Sequence, residues 1–319
     1  MSVIPLGVSL PGEADHFCEP SAGLRLCYRT MGPVGGEPLL LIAGLGLQLT
    51  SWPRSMLNGL LHRGYHLIAL DNRDIGRSSR VSTPPPALWR QALRRPRDDA
   101  YDLDDMAQDV VGLLDHLGLE RVHVVGMSMG GMIAQQLAAR HGGRVRSLTS
   151  IFSTTGARQV GQPRLATMMR LMAPPARTQA QSVERYHAMV RHIAGKGFSV
   201  NDEEVRGYAA RAWERGNGAT AHEGVARQIS AIFKSGDRTR HLHRITAPTL
   251  VIHGDRDPLV QPSGGVATAA AIAQTRHATI AGMGHYLADG AVPRIVSLID
   301  ELARSTRATP SGAAHQGRV

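Results

Sequence analysis

One stretch constrains the fold more than any other: Arg121-Val122-His123-Val124-Val125-Gly126-Met127-Ser128-Met129-Gly130-Gly131, running on into Met132-Ile133-Ala134-Gln135-Gln136-Leu137-Ala138-Ala139-Arg140. Val122, Val124 and Val125 form a short β-branched apolar run that suits a buried strand. Ile133, Leu137 and the alanines suit a buried helix that ends near His141-Gly142-Gly143. Between the two the chain must reverse within about five residues, which forces the central residue into a strained backbone conformation. Gly126 and Gly130 leave room for the reversal because neither has a Cβ. Ser128 is thereby held out at the end of a strand.

The pattern Gly126-x-Ser128-x-Gly130 is the signature of a nucleophile elbow. In a chain with 35 glycines the frequencies of Gly and Ser give on the order of 0.2 accidental matches, so the strand-turn-helix context carries more weight than the pattern. The competing interpretation is a tight turn with an incidental serine. Partners for the serine elsewhere in the chain decide between them.

The chain of 319 residues can bury a large core as one α/β domain with an insertion. Its apolar fraction of 42% and charged fraction of 19% are those of a soluble globular protein. No apolar run approaches the roughly 20 residues of a membrane span, so no membrane insertion is expected. Residues 1–7 lack a basic region followed by an apolar one, and a cytoplasmic location is expected. The formal charge of +10 invites a nucleic-acid partner. Its distribution argues against one, because the charge comes almost wholly from arginines scattered over most segments. Cys18 and Cys27 lie in an expected hairpin, where they could face each other across the strand pair. Without a secretion signal they are expected to be reduced core residues, and no metal-ligand spacing surrounds them.

After the hairpin, Glu37-Pro38-Leu39-Leu40-Leu41-Ile42-Ala43 reads as a strand buried on both faces, ending in Gly44-Leu45-Gly46-Leu47. A helix through Leu57, Leu60 and Leu61 leads to a second such strand, His66-Leu67-Ile68-Ala69-Leu70, and to the polar loop Asp71-Asn72-Arg73-Asp74-Ile75-Gly76-Arg77-Ser78. Residues 84–96 read as irregular surface chain. A helix capped by Asp102 then delivers the chain to the strand before Ser128. A strand follows over 145–152. Residues 155–244 show helical stretches at 164–172, 180–193, 202–215 and 223–233 but no comparable β-run. The α/β alternation resumes with a strand over 245–253, a helix near 266–273, a strand at 277–280 and a helix over 292–304. The expected organisation is a core of residues 1–154 and 245–304, a helical cap over 155–244 and a disordered tail over 305–319.

A serine hydroxyl needs a base, normally an imidazole, and the imidazole needs a carboxylate to set its tautomer. In an open parallel sheet such groups converge from loops after strands. Two loops qualify: His253-Gly254-Asp255-Arg256-Asp257-Pro258 and Gly282-Met283-Gly284-His285-Tyr286. They supply the order Ser128, Asp257, His285. With Ala43-Gly44-Leu45-Gly46, the 71–78 loop and the elbow, the chain resembles α/β-hydrolase-fold serine hydrolases over residues 15–304. The combination of Leu45-Gly46-Leu47 with Asn72-Arg73-Asp74 further resembles the aclacinomycin-methylesterase-like branch, which implies ester cleavage. The family pattern favours Asp257 over Asp255 as the acid; His253 is the main rival to His285 as base. Asp71 is expected to orient its own loop. Many relatives place a histidine where Ala43 stands and a glycine where Asp74 stands.

The resemblance implies an α/β-hydrolase fold, a mostly parallel sheet flanked by helices with a helical cap. It also implies an acyl-enzyme mechanism on Ser128, His285 and Asp257. The oxyanion donors would be the backbone N–H groups of Leu45 and Met129, and neither metal nor cofactor is required. The cap would roof a small-molecule ester site, with Met168, Met172, Met189 and Trp213 as candidate apolar lining in a monomer or homodimer. Thioesterase, lactonase and C–C hydrolase activities share the triad, and a ligand-binding receptor without turnover is a rival of another class. Epoxide hydrolases and haloalkane dehalogenases need a carboxylate where Ser128 stands.

Overall fold

The computed structural model describes residues 14–216 and 218–306. The expected tail beyond residue 306 lies outside them. The hairpin forms as β1 (His16–Ser21) and β2 (Leu24–Met31), turning at Gly23 with φ +77°. Cys18 sits opposite Leu26, and Cys27 opposite Phe17, so the two thiols do not face each other. They point into cores on opposite sides of the sheet and are both free, because their positions along the antiparallel pair differ in parity.

The apolar runs become β3 (Glu37–Ile42), β4 (Tyr65–Leu70), β5 (Val122–Met127), β6 (Val145–Ile151), β7 (Thr249–Gly254) and β8 (Thr275–Ile280). They assemble in the order β1-β2-β4-β3-β5-β6-β7-β8. β1 and β2 run antiparallel, β2 pairs antiparallel with β4, and every later pairing is parallel. Side chains of a strand alternate between faces, so a run that is apolar throughout needs a core on each side. Leu40, Ile42, Val122 and Val124 enter one core with α3 (Leu103–His116) and α4 (Met129–Arg140). Leu39, Leu41, Val125 and Met127 enter the other with α1 (Arg54–Leu61) and α11 (Val292–Ser305). Asp102 caps α3 as expected, Asp105 caps it reciprocally, and Gly118 at φ +64° follows the helix.

Several boundaries differ from those read in the sequence. Residues 84–96 are not wholly irregular: α2 (Leu88–Ala92) forms just after the proline run. The strand expected from residue 245 starts at Thr249. Its first residues instead follow the short helix α9 (Thr239–Leu242), and Pro248, without an N–H, offers only its carbonyl, to Leu148. The next helix, α10 (Ser263–Ala271), starts three residues early beside Pro262, and β8 begins at Thr275 rather than His277. Between β6 and α9 run α5 (Leu165–Leu171), α6 (Gln179–Ile193), α7 (Asp202–Arg215) and α8 (Ala221–Ser235). No helix among the described residues is long and apolar enough to cross a membrane.

Candidate active site

Ser128 is the residue between β5 and α4, with φ 55° and ψ −121°. A non-glycine residue there is strained by on the order of 1–3 kcal/mol, so the surroundings must impose the conformation. They do so by close packing. A Cβ added to Gly126 would lie 2.2 Å from the Gly130 carbonyl oxygen, and one on Gly130 would lie 2.1 Å from that of Ile42. The Ser128 N–H donates to the Ile151 carbonyl at 2.9 Å, and its own carbonyl accepts from the Ser153 hydroxyl at 2.8 Å.

The loops after β7 and β8 bring two further side chains to this serine. His285 Nε2 lies 2.9 Å from Ser128 Oγ, and its Nδ1 lies 2.6 Å from Asp257 Oδ2. With Nδ1–H donated to the carboxylate, Nε2 keeps a lone pair for the serine hydroxyl. The backbone of the β8 loop is tied to the end of α6: Gly284 and His285 donate to the carbonyls of Ala194 and Ile193 at 2.8 and 2.7 Å. The Phe152 ring packs 4.4 Å from the imidazole.

Asp257 is 1% exposed. Its Oδ1 accepts from the backbone of Leu259 and Val260 at 2.8 and 2.9 Å. Burial by itself would raise this carboxyl, but the His285 charge and hydrogen bonds from His253 and His285 outweigh it and hold the pKa at about 2. The depressed value stabilises the fold fully above the ordinary 3.8 and ceases to do so as pH falls through about 2. In acid denaturation, about 2 kcal/mol of the wild-type loss between those pH values is expected to disappear in Asp257→Asn. Identical slopes for the two proteins would refute this.

Both rivals named from the sequence have other partners. His253 Nε2 donates to the Val260 carbonyl at 2.8 Å and approaches Asp257 Oδ2 at 3.4 Å. Its Nδ1 faces the backbone of Gly265, where an added Cβ would lie 2.5 Å away. It therefore supports the carboxylate from behind and does not meet the serine. Asp255 accepts from Gly282 N–H at 2.6 Å, closing the turn before His285. Asp71 accepts from Arg77 N–H within its own loop, and also from Leu49 N–H and Arg215.

The turn after β3 adjoins the serine: a Cβ on Gly44 would lie 3.2 Å from Ser128 Cβ. Its shape comes from Leu47 N–H donating to the Gly44 carbonyl at 3.1 Å and from Gly46 at φ +69°. Gly46 N–H donates to Gln228 Oε1 at 3.0 Å. Among the described residues the N–H groups of Gly44 and Leu45 have no protein acceptor, and Leu45 is the one the family resemblance assigns to an oxyanion. Met129 opens α4 immediately after Ser128, where the N–H groups of a first helical turn have no partner within the helix.

The four candidate lining residues are spread over three helices. Met168 on α5, Met189 on α6 and Trp213 on α7 are half-buried, and the Trp213 ring packs against the turn at Gly218. Met172, just past α5, is 70% exposed. Two open clefts, of about 480 Å³ beside Arg25, Arg77 and Arg215 and about 190 Å³ beside Val81 and Glu223, include neither Ser128, Asp257 nor His285 in their walls. Sequence reasoning missed Phe152, Ser153, Asn72 and Gln228. Only Asn72, inside a quoted motif, carried any local signal.

The parallel sheet and this serine turn define an α/β hydrolase. The chain belongs to the alpha/beta hydrolase fold family, whose model matches residues 37–290. It is 31% identical over 278 residues to rhodomycin D methylesterase of Streptomyces peucetius, covering 81% of this chain and 87% of that one. To a non-heme haloperoxidase of Rhodococcus erythropolis it is 28% identical over 281 residues, covering 84% and 92%. In fold it resembles a meta-cleavage product hydrolase from Pseudomonas fluorescens, with a TM-score of 0.69 at 20% identity over 90% of this chain and 96% of that one.

Proposed function

We propose that the protein is a serine hydrolase that cleaves carboxylic esters of small molecules through an acyl-enzyme intermediate. The observation that carries this reading is the continuous hydrogen-bonded chain from Ser128 through His285 to Asp257. His285 takes the Ser128 proton as Oγ attacks the ester carbonyl, and Asp257 stabilises the imidazolium that results. The N–H groups of Leu45 and Met129 receive the negative oxygen of the tetrahedral intermediate. Collapse expels the alcohol, which takes the proton from His285. Water, deprotonated by the same imidazole, then releases the acid and restores Ser128.

The similarity to a methylesterase supports an ester over other acyl substrates. Residues 155–244 serve as a cap over the site, and Met168, Met189 and Trp213 offer it apolar surface. Met172, 70% exposed, offers no buried apolar surface of this kind. The test is a panel of methyl esters, lactones, thioesters, aryl esters and vinylogous 1,3-diketones, with products identified by mass. Release of acid and alcohol from esters, with fluorophosphonate labelling at Ser128, is the expected result. Cleavage of the diketones with esters untouched would assign a C–C hydrolase instead, and ligand binding without labelling a receptor.

A further inference from the structure

Gln228 lies on α8, fully buried, and takes no part in the Ser128–His285–Asp257 chain. Its Oε1 accepts from Gly46 N–H at 3.0 Å while its Nε2 donates to the Arg73 carbonyl at 2.9 Å. One side chain from the helical segment thus joins the turn after β3 to the loop after β4. A primary amide can serve both partners at once, since it carries a donor and an acceptor on one planar group.

The same turn is held at its other end. Asn72, itself buried, donates from Nδ2 to the Ala43 carbonyl at 3.1 Å. Val225, three residues before Gln228 on α8, packs over Gly46, where an added Cβ would meet Val225 Cγ2 at 3.1 Å. The peptide before Gly44 and the peptide at Gly46 are therefore both fixed, and Leu45 N–H lies between them. Rotating the Gly46 peptide would break this bond and strand the buried Gln228 carbonyl, and unpaired buried polar groups are costly.

We infer that Gln228 is a positioning residue that locks the 44–47 turn in the orientation where Leu45 N–H meets the developing oxyanion. This rests on the serine-hydrolase reading and deepens it. Oxyanion donors act through preorganisation, so an unlocked turn loses transition-state stabilisation more than substrate binding. Because Gln228 belongs to α8, the donor is aligned only while α8 is seated. The helical segment then contributes to the chemical step as well as to substrate choice.

Gln228→Met keeps the length of the side chain and removes both hydrogen bonds. For a short methyl ester, kcat is expected to fall about 10- to 100-fold, with KM within about twofold of wild type. Affinity for a trifluoromethyl ketone, whose tetrahedral adduct carries the oxyanion, is expected to fall in parallel with kcat/KM. Should that variant fail to fold, Gln228→Asn, whose amide is withdrawn from Gly46 by one methylene, carries the same expectation. A folded variant with wild-type kcat and ketone affinity, or with a raised KM alone, would overturn the inference. The underlying reading fails separately, through a wild-type protein that fluorophosphonate does not label or an active Ser128→Ala.

Discussion

Ser128→Ala is expected to lower kcat/KM for a short methyl ester by about 10⁴- to 10⁶-fold, with the melting temperature within a few degrees of wild type. The change removes one atom, Oγ, and with it the contact at 2.9 Å to His285 Nε2. The Cβ remains, so the strained backbone at φ 55° is neither relieved nor worsened. The members of such a triad act as a unit, and loss of the nucleophile costs nearly as much as loss of all three. What remains is catalysis by binding and by the oxyanion donors, with water as nucleophile. Steady-state hydrolysis and circular dichroism on the same preparation measure both halves of the expectation. A folded variant that retains a tenth of wild-type turnover would remove Ser128 from the mechanism.

The second large effect is on stability. Asp74 is fully buried and adopts φ +73°. Its carboxylate accepts from Arg227 Nη2 at 2.7 Å and Nε at 3.0 Å, from the Tyr101 hydroxyl at 2.8 Å and from Val81 N–H at 3.0 Å. Arg227 is 6% exposed, and it lies one residue before Gln228 on α8. This aspartate is thus an anchor that seats α8 on the loop after β4. Arg227→Met leaves the carboxylate buried without its cation and is expected to cost about 3–5 kcal/mol in urea denaturation. Asp74→Gly relieves the backbone strain but strands the guanidinium, so it too is expected to destabilise. Converting both partners, Asp74→Gly with Arg227→Met, is expected to be milder than either single change, because no unpaired charge remains. A loss below about 1 kcal/mol in Arg227→Met would show that the pair does not hold the helix.

The parts of the fold legible in the sequence are those governed by near neighbours. Runs of apolar residues demand apolar contact on both faces, and those at 39–42 and 67–70, together with Val122, Val124 and Val125 around a buried His123, all became central strands. Asp102 announced a helix start because an N-cap acts within one turn, and the structure adds the reciprocal bond from Asp105. Where a boundary depended on packing, the reading slipped. Ile245 and Ala247 are as apolar as a strand, yet they lie before β7, buried by contacts that periodicity does not encode. The hairpin carrying Cys18 and Cys27 is legible in the sequence, but whether the thiols face each other is not, since a register shift between Cys18 and Ser21 is invisible in composition.

The candidate site divides in the same way. Gly126-Met127-Ser128-Met129-Gly130 announces a turn because only glycine fits where Gly126 meets the Gly130 carbonyl. The strained backbone of Ser128, however, is held by distant groups, Ile42 against Gly130 and Ile151 and Ser153 on the serine itself. The chain order of Ser128, Asp257 and His285 was likewise readable. The structure agrees with that order and adds the reason: His253 lies within β7 with its Nδ1 against Gly265, whereas His285 follows β8, beside Phe152 and 2.9 Å from Ser128 Oγ. Tertiary structure alone decided the pairing of Gln228 with Gly46, which are 182 residues apart. A hydrogen bond between such distant groups follows from how α8 seats on the sheet, and no local pattern can specify it.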